Sequence, residues 1–344
     1  MRLVSFITSR PGPARFGVLD GDQVIEPGPT LTADLLRRHG DAAQSRAEPA
    51  ATDMVAFFRS GSAGLRRAEE AVAIARDRLA AGIELHAADG SPTVHPLGGV
   101  QLLAPVSRPR RIRDYLTYSQ HASGSGLDGG TTAMAVPACY QCNVETIIGP
   151  DEPLVWPSYT DQLDFELELG FFTSRGGRDL TIAEAKRSIA GVTLFNDVSA
   201  RDIQFAEMAM QIGPSKGKHF CTAMGPCVLT MDEVDEWDIT LSASVNGDPW
   251  VVGSTRHREF SFAEVLAWAS LDEPVYPGEF FAVGTVGGGC GLELDRWIEP
   301  GDVVELQASG VGVLRNPVGA KVRRRDGSGL AGYAGAPRVQ VQHG

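Results

Sequence analysis

The sequence predicts an α+β protein dominated by strands, with a small α/β unit over residues 1–105 and a larger, strand-rich unit over 106–344. Three observations predict this. Glycine and proline number 40 and 21 in 344 residues, which favours many turns over long helices. Strand-like apolar runs bounded by turn residues recur along the chain, whereas a long helical stripe stands out in one place. The segment PVSRPRRIR (105–113), with two prolines and four arginines, separates the two patterns and places a boundary at 105–110.

In the first unit, RLVSFIT and ARFGVLDGDQVIEP read as strands, with Asp20-Gly21 as a hairpin turn. Residues 63–80 place Leu65, Ala68, Val72, Ala75 and Leu79 on one helical stripe. In the second unit, Thr181 with Glu184 and Ser261 with Glu264 are capping boxes that open two short helices. Between them, LSASVNGDPWVVG is a hairpin turning at Asn246-Gly247, and DVVELQ (302–307) is another strand. No repeat or low-complexity tract interrupts the chain.

The formal charge of -12 argues against a nucleic-acid backbone or an anionic membrane surface as partner. No apolar run approaches the ~20 residues of a membrane span, and the N-terminus lacks the apolar core of a secretory signal. Five cysteines, an odd number in so long a chain, do not make a disulfide framework. A reduced, cytoplasmic setting is the expectation.

Between Arg113 and Arg175 there is no lysine or arginine, yet nine acids fall in that stretch. Three of them, Asp164, Glu166 and Glu168, alternate with Phe165, Leu167 and Leu169, so a strand would put the acids on one face. Like charges two residues apart lie roughly 7 Å from each other, costing about 2 kcal/mol per pair at an effective dielectric of 20. A solvated acidic face is one reading. A hard divalent cation standing opposite the acids, with no cations of the chain nearby, is the other.

Further segments carry chemistry-bearing residues. RDYLTYSQHASGSG (113–126) contains Asp114 and His121, and a lone histidine is more often structural or merely exposed than catalytic. GVTLFNDVSARDIQ (191–204) is an apolar strand ending at Asn196-Asp197, where Asp197 reads as a helix cap or as a ligand. GPSKGKHF (213–220) is a glycine-rich loop whose lysines suit a developing oxyanion. FAVGTVGGGCGLELDRW (281–297) is a glycine-dense loop, either a flexible turn or a close approach of backbone to a ligand. The other six histidines, His39, His86, His95, His219, His257 and His343, show no metal-type spacing. ACYQC (138–142) is a C-x-x-C, but a zinc site lacks its second pair, and NVETII after it reads as strand rather than the helix of a redox motif.

Taken in order, RDYLTYSQH, IIGPDEPLVWP, LDFELELGFF, FNDVSARDIQ, GPSKGKHF and GTVGGGCGLEL resemble the fumarylacetoacetate hydrolase family over most of 100–320. The resemblance implies a mixed β-sandwich roll, a homodimer, and a magnesium, manganese or calcium ion held by Asp114, Glu166, Glu168 and Asp197. It implies that His121 is the catalytic histidine, oriented by Glu293, with Lys218 near the substrate oxygens. Arg201 and Gln204 match supporting and substrate-contacting positions, Thr285 and Tyr140 match substrate-binding ones, and Asp164 falls outside the ligand set.

The activity so implied is hydrolysis of a carbon–carbon bond in a β-diketone or acylpyruvate-like 1,3-dicarbonyl. The carboxylate set is shared with decarboxylases, hydratases, isomerases and lyases of 2-oxo acids, and a non-catalytic binding protein is the remaining alternative. The chain departs from the family's name-giving enzyme at Leu116 and Met208, where tyrosines are expected. It also has no arginine over Ala122–Gly130. A bulkier, less charged substrate is therefore expected.

Overall fold

A computed structural model describes residues 1–10, 12–39, 51, 53–126, 134–330 and 333–339. The first unit begins with β1 (Arg2–Thr8), β2 (Arg15–Asp20) and β3 (Gln23–Ile25), an antiparallel meander. Asp20 pairs with Gln23, so the turn is Gly21-Asp22, one residue later than expected. Gly21 takes the left-handed conformation (φ 59°) that the tight connection requires.

Helices α1 (Pro27–His39) and α2 (Met54–Ala80) follow. The long helix starts well before the expected residue 63, because Asp53 caps it by accepting from Ala56 N–H at 2.8 Å. It kinks at Gly61, and it buries Ala68, Ala71 and Ala75 while Leu79 stays 44% exposed. The unit closes with β4 (Val94–Pro96) and β5 (Val100–Leu103).

The rest of the chain supplies β6 (Ile112–Leu116), α3 (Ser119–Gly124), β7 (Ala138–Gln141), β8 (Ile147–Ile148), β9 (Leu154–Trp156) and β10 (Leu163–Asp164). Next come β11 (Glu166–Thr173), α4 (Ile182–Arg187), β12 (Ile189–Asn196), β13 (Ser199–Ala200), α5 (Arg201–Met208) and β14 (Thr222–Thr230). Then β15 (Thr240–Val245), β16 (Asp248–Ser254), α6 (Phe262–Ser270) and β17 (Phe280–Cys290) lead to α7 (Gly291–Leu294), β18 (Val303–Ala308) and β19 (Gly312–Lys321). Both expected capping boxes are present, at Thr181 and Ser261. Asn246 and Gly247 both have positive φ, as a type I′ hairpin needs.

Among the described residues, a large sheet runs β4-β3-β2-β1-β14-β12-β11-β17-β6-β7, with β5 on β1 and β8 on β14. Strand β1 pairs with β14 through Arg2↔Leu229 and Leu3↔Val228, so the two halves of the chain share one sheet. A second sheet, β16-β15-β18-β19-β9, packs on it. Leu167, Leu169 and Leu194 of the first share a core with Leu241, Leu306 and Leu314 of the second. This gives the β-dominated α+β architecture that the sequence predicts.

Strand β11 lies between β12 and β17, and all eight of its residues are buried. It is not the solvated acidic face that its alternation allows. Leu167 and Leu169 each contribute roughly 1.5–3 kcal/mol by burial, which offsets part of the cost of enclosing the acids between them. The expected glycine-dense loop is also different: β17 continues as strand through Cys290 before α7 turns. No helix among the described residues is long and apolar enough to cross a membrane.

Candidate active site

Adjacent strands bring the sequence-separated acids together. Asp114 sits on β6 opposite Ala282 of β17, Glu168 on β11 pairs with Thr285 of β17, and Asp197 follows the end of β12. They open on a cavity of about 210 Å³ that His121, Glu166, Lys218, Tyr140, Gln204 and Thr285 also line. Carboxylate oxygens of Glu166, Glu168 and Asp197 lie within 4.8 Å of one another. A second group meeting the same limit joins Asp114 and Asp197 to Cys142 Sγ.

The region is not free of cations, as the charge pattern along the chain suggests; two arrive from beyond Arg175. Lys218 Nζ donates to Glu166 at 2.6 Å and to Asp197 at 2.5 Å. Arg201 Nη1 lies 2.7 Å from Glu166 Oε1. Burial pushes the Glu166 carboxyl up, but Lys218, Arg201 and His121 together hold it below its ordinary range. Burial pulls the Lys218 pKa down, but Asp197 and Glu166 outweigh it and hold the pKa above the ordinary value.

Asp114 and Glu168 have no ion-pair partner among the described residues. Burial, then the neighbouring carboxylates, push both upward. Glu168 Oε1 accepts from Thr285 Oγ1 at 2.8 Å, while its buried Oε2 has no hydrogen-bond partner. An all-oxygen carboxylate set with two uncompensated members and an orphaned buried oxygen fits a hard divalent cation.

Asp197 is not a helix cap. Its side chain accepts from Tyr140 Oη at 2.6 Å and from Lys218, whereas α5 is preceded by Ala200 with no side-chain cap. Asp164 stands outside the acid group, bonded to Arg201 and to the N–H groups of Gly291 and Leu292. Arg201 is fully buried, does not line the cavity, and donates to Gln204 Oε1 at 3.0 Å.

His121 is 3% exposed on α3. Its Nδ1 lies 2.8 Å from Glu293 Oε2, and its Nε2 lies 3.7 Å from Glu166 Oε1. A carboxylate at Nδ1 favours the tautomer protonated there, which leaves the Nε2 lone pair toward the acids. Glu293 Oε1 accepts from Gly288 N–H at 2.9 Å. A Cβ on Gly124 would come within 2.6 Å of that Oε1, so a larger residue there would push the Glu293 carboxylate from its present position.

Two residues escaped the sequence reading. Cys142 Sγ lies within 4.8 Å of carboxylate oxygens of Asp114 and Asp197, and both cysteines of the C-x-x-C are free thiols. Cys290 neighbours Glu293 and His121. Nothing in the spacing announces either, because strand register places them. Of the histidines set aside, His95 bonds Glu26 at 2.8 Å and His219 bonds Gln141 O at 2.8 Å. His343 and residues 127–130 lie outside the described residues.

A family model described as fumarylacetoacetate (FAA) hydrolase C-terminal matches residues 111–319. The chain belongs to the fumarylacetoacetate hydrolase family. As a member of that family it is an enzyme with a metal-dependent activity. The mitochondrial oxaloacetate tautomerase of Xenopus laevis is 29% identical over 237 residues, 67% of this chain and 72% of that protein. The mitochondrial oxaloacetate tautomerase FAHD2A of Homo sapiens is 29% identical over 259 residues, 74% of this chain and 78% of that one. In fold the chain is similar to maleylpyruvate hydrolase from Sphingobium sp. SYK-6, solved with manganese(II) and pyruvate. That likeness has a TM-score of 0.66 at 22% identity and covers 94% of this chain and 100% of the other.

Proposed function

We propose that this enzyme hydrolyses a carbon–carbon bond of a β-diketone or acylpyruvate-like 1,3-dicarbonyl, with His121 activating the water. The observation that carries this reading is the buried His121–Glu293 pair at 2.8 Å, whose Nε2 faces the acid group. A magnesium, manganese or calcium ion held by Asp114, Glu166, Glu168 and Asp197 would, when bound, polarise the substrate carbonyls.

Glu293 keeps the proton on Nδ1, so Nε2 takes one from water. Positioned general-base catalysis of this kind contributes about 10²–10⁴-fold. The hydroxide oxygen bonds to the carbonyl carbon. Lys218 has three N–H donors, two of which go to Glu166 and Asp197, which leaves the third to stabilise the developing oxyanion. The carbon–carbon bond then breaks with its electron pair on the departing carbon, and the imidazolium returns its proton there.

Leu116, Ala138, Met208 and Pro214 line the cavity beyond the acids, and Lys218 is the one cationic lining residue described. This lining supports a bulkier, less charged substrate than a dicarboxylate. The same reading takes the enzyme to be a homodimer, as the family resemblance implies. A second reading, tautomerisation or isomerisation of a 2-oxo acid, is favoured by the oxaloacetate tautomerases among the relatives. It uses the same acids and asks of His121 only a proton transfer between carbon and oxygen.

A metal-supplemented panel of 1,3-dicarbonyls, followed by loss of enol absorbance and by mass analysis of the products, separates the two readings. Hydrolysis yields two products, whereas tautomerisation conserves mass. His121→Ala should lower hydrolysis by about 10²-fold or more; full activity in that variant would exclude the mechanism.

A further inference from the structure

Glu293 can hold His121 in one orientation only if the carboxylate itself cannot turn. One carboxylate oxygen, Oε1, is fixed by Gly288 N–H at 2.9 Å. The other, Oε2, takes the His121 Nδ1–H at 2.8 Å and also lies 3.3 Å from Cys290 Sγ. Cys290 is fully buried at the end of β17, three residues before Glu293 and paired across the sheet with Glu166. Its thiol is a free S–H rather than half of a disulfide. A thiol is a weak donor, but an ionised acceptor strengthens it.

We propose that Cys290 is a positioning residue: its S–H donates to the Glu293 oxygen that holds His121, and so fixes the direction in which Nε2 faces the substrate. The inference rests on the reading of His121 as the proton-transferring base. Without the thiol, Oε2 keeps one donor and the carboxylate can rock about the Gly288 bond. His121 then spends less time aligned, which lowers turnover but leaves the substrate's contacts alone. The glycine-dense stretch before α7 thus has a use: Gly288 and Cys290 grip the two carboxylate oxygens from one strand end.

The test compares Cys290→Ser with Cys290→Ala, side chains of nearly equal size that differ in a hydroxyl donor. With acetylpyruvate as the acylpyruvate probe, Cys290→Ala should lose about tenfold in kcat with KM changed less than twofold, and Cys290→Ser should recover most of it. A packing role predicts the reverse, since both variants would lose the same volume and serine would bury the more polar group. Equal losses in the two variants, or an unchanged Cys290→Ala, would overturn the proposal. A substrate-independent arm uses proton NMR of the low-field His121 Nδ1–H, assigned by its absence in His121→Gln. That signal should exchange faster in Cys290→Ala than in wild type or Cys290→Ser, and identical exchange in all three would also overturn it. If His121→Ala keeps full turnover, the base assignment fails, while the NMR comparison still judges the Cys290–Glu293 contact.

Discussion

Asp164 and Arg201 form a fully enclosed ion pair, with Asp164 Oδ2 2.8 Å from Nε and 2.7 Å from Nη2. The same carboxylate accepts the N–H groups of Gly291 and Leu292 at 2.8 and 3.0 Å. A Cβ on Gly291 would collide with the backbone oxygen of Arg296 and sit 2.6 Å from Asp164 Oδ1, so this approach requires glycine. Asp164 therefore ties the strand that carries Glu166 and Glu168 to the short helix that carries Glu293. Arg201 completes the link by reaching Glu166 from the other side.

Asp164→Asn should leave the Arg201 charge buried and underpaired. Breaking one partner of a buried pair costs about 3–5 kcal/mol. Urea denaturation should show the midpoint falling at an unchanged m-value. A loss below about 1 kcal/mol would mean that Arg201 is adequately held by Glu166 alone.

Glu168→Gln removes a carboxylate with no cation partner and replaces its orphaned oxygen with an amide group. The metal-free variant should be at least as stable as metal-free wild type, because burial and like charge oppose the ionised form. Wild type should gain about 2.7 kcal/mol at a cation concentration of 100 Kd, and the variant much less. Thermal melts with and without magnesium or manganese check both halves. An equal gain in the two proteins would remove Glu168 from the ligand set.

The capping box of α6 gives a pH prediction of known sign. Hydrogen bonds from the Ser261 hydroxyl and backbone hold the Glu264 carboxyl below its ordinary value, against a small opposing effect of burial. A folded pKa lower than the unfolded one adds stability that is present above about pH 4.5 and lost as pH falls through the folded value. Ser261→Ala should cost about 1 kcal/mol at pH 7. The gap from wild type should narrow on acidification below pH 4.5, and a gap that widened there would contradict the cap.

Met208 lines the cavity from the C-terminal end of α5. Met208→Arg places a cation where the described lining is apolar. Turnover of a dicarbonyl ending in a carboxylate should rise by about tenfold in kcat/KM, which corresponds to ~1.4 kcal/mol of added transition-state binding. Turnover of an apolar-tailed analogue should fall. Parallel changes for both probes would show that this wall does not face the substrate tail.

Much was legible in the sequence, for definite reasons. Turn chemistry is local, so Asn246-Gly247, Thr181–Glu184 and Ser261–Glu264 declare themselves within a few residues. Alternation is local too, and it set Glu166 and Glu168 two apart on β11, although the strand breaks at Phe165 and leaves Asp164 on the separate β10. The ordered motifs named the family because each keeps its own residues in its own segment. What no local pattern holds is which strands become neighbours. Only the tertiary structure enclosed β11 on both sides, and only it brought Arg201 and Lys218 into a stretch of chain that has no cation of its own. It also set Asp164 apart as the anchor of the Glu293 helix and put Cys142 and Cys290 beside the working groups. These are contacts between residues far apart in the chain. They are fixed by sheet register and by the cost of burying a charge without a counter-charge, and neither is written in the spacing of any one segment.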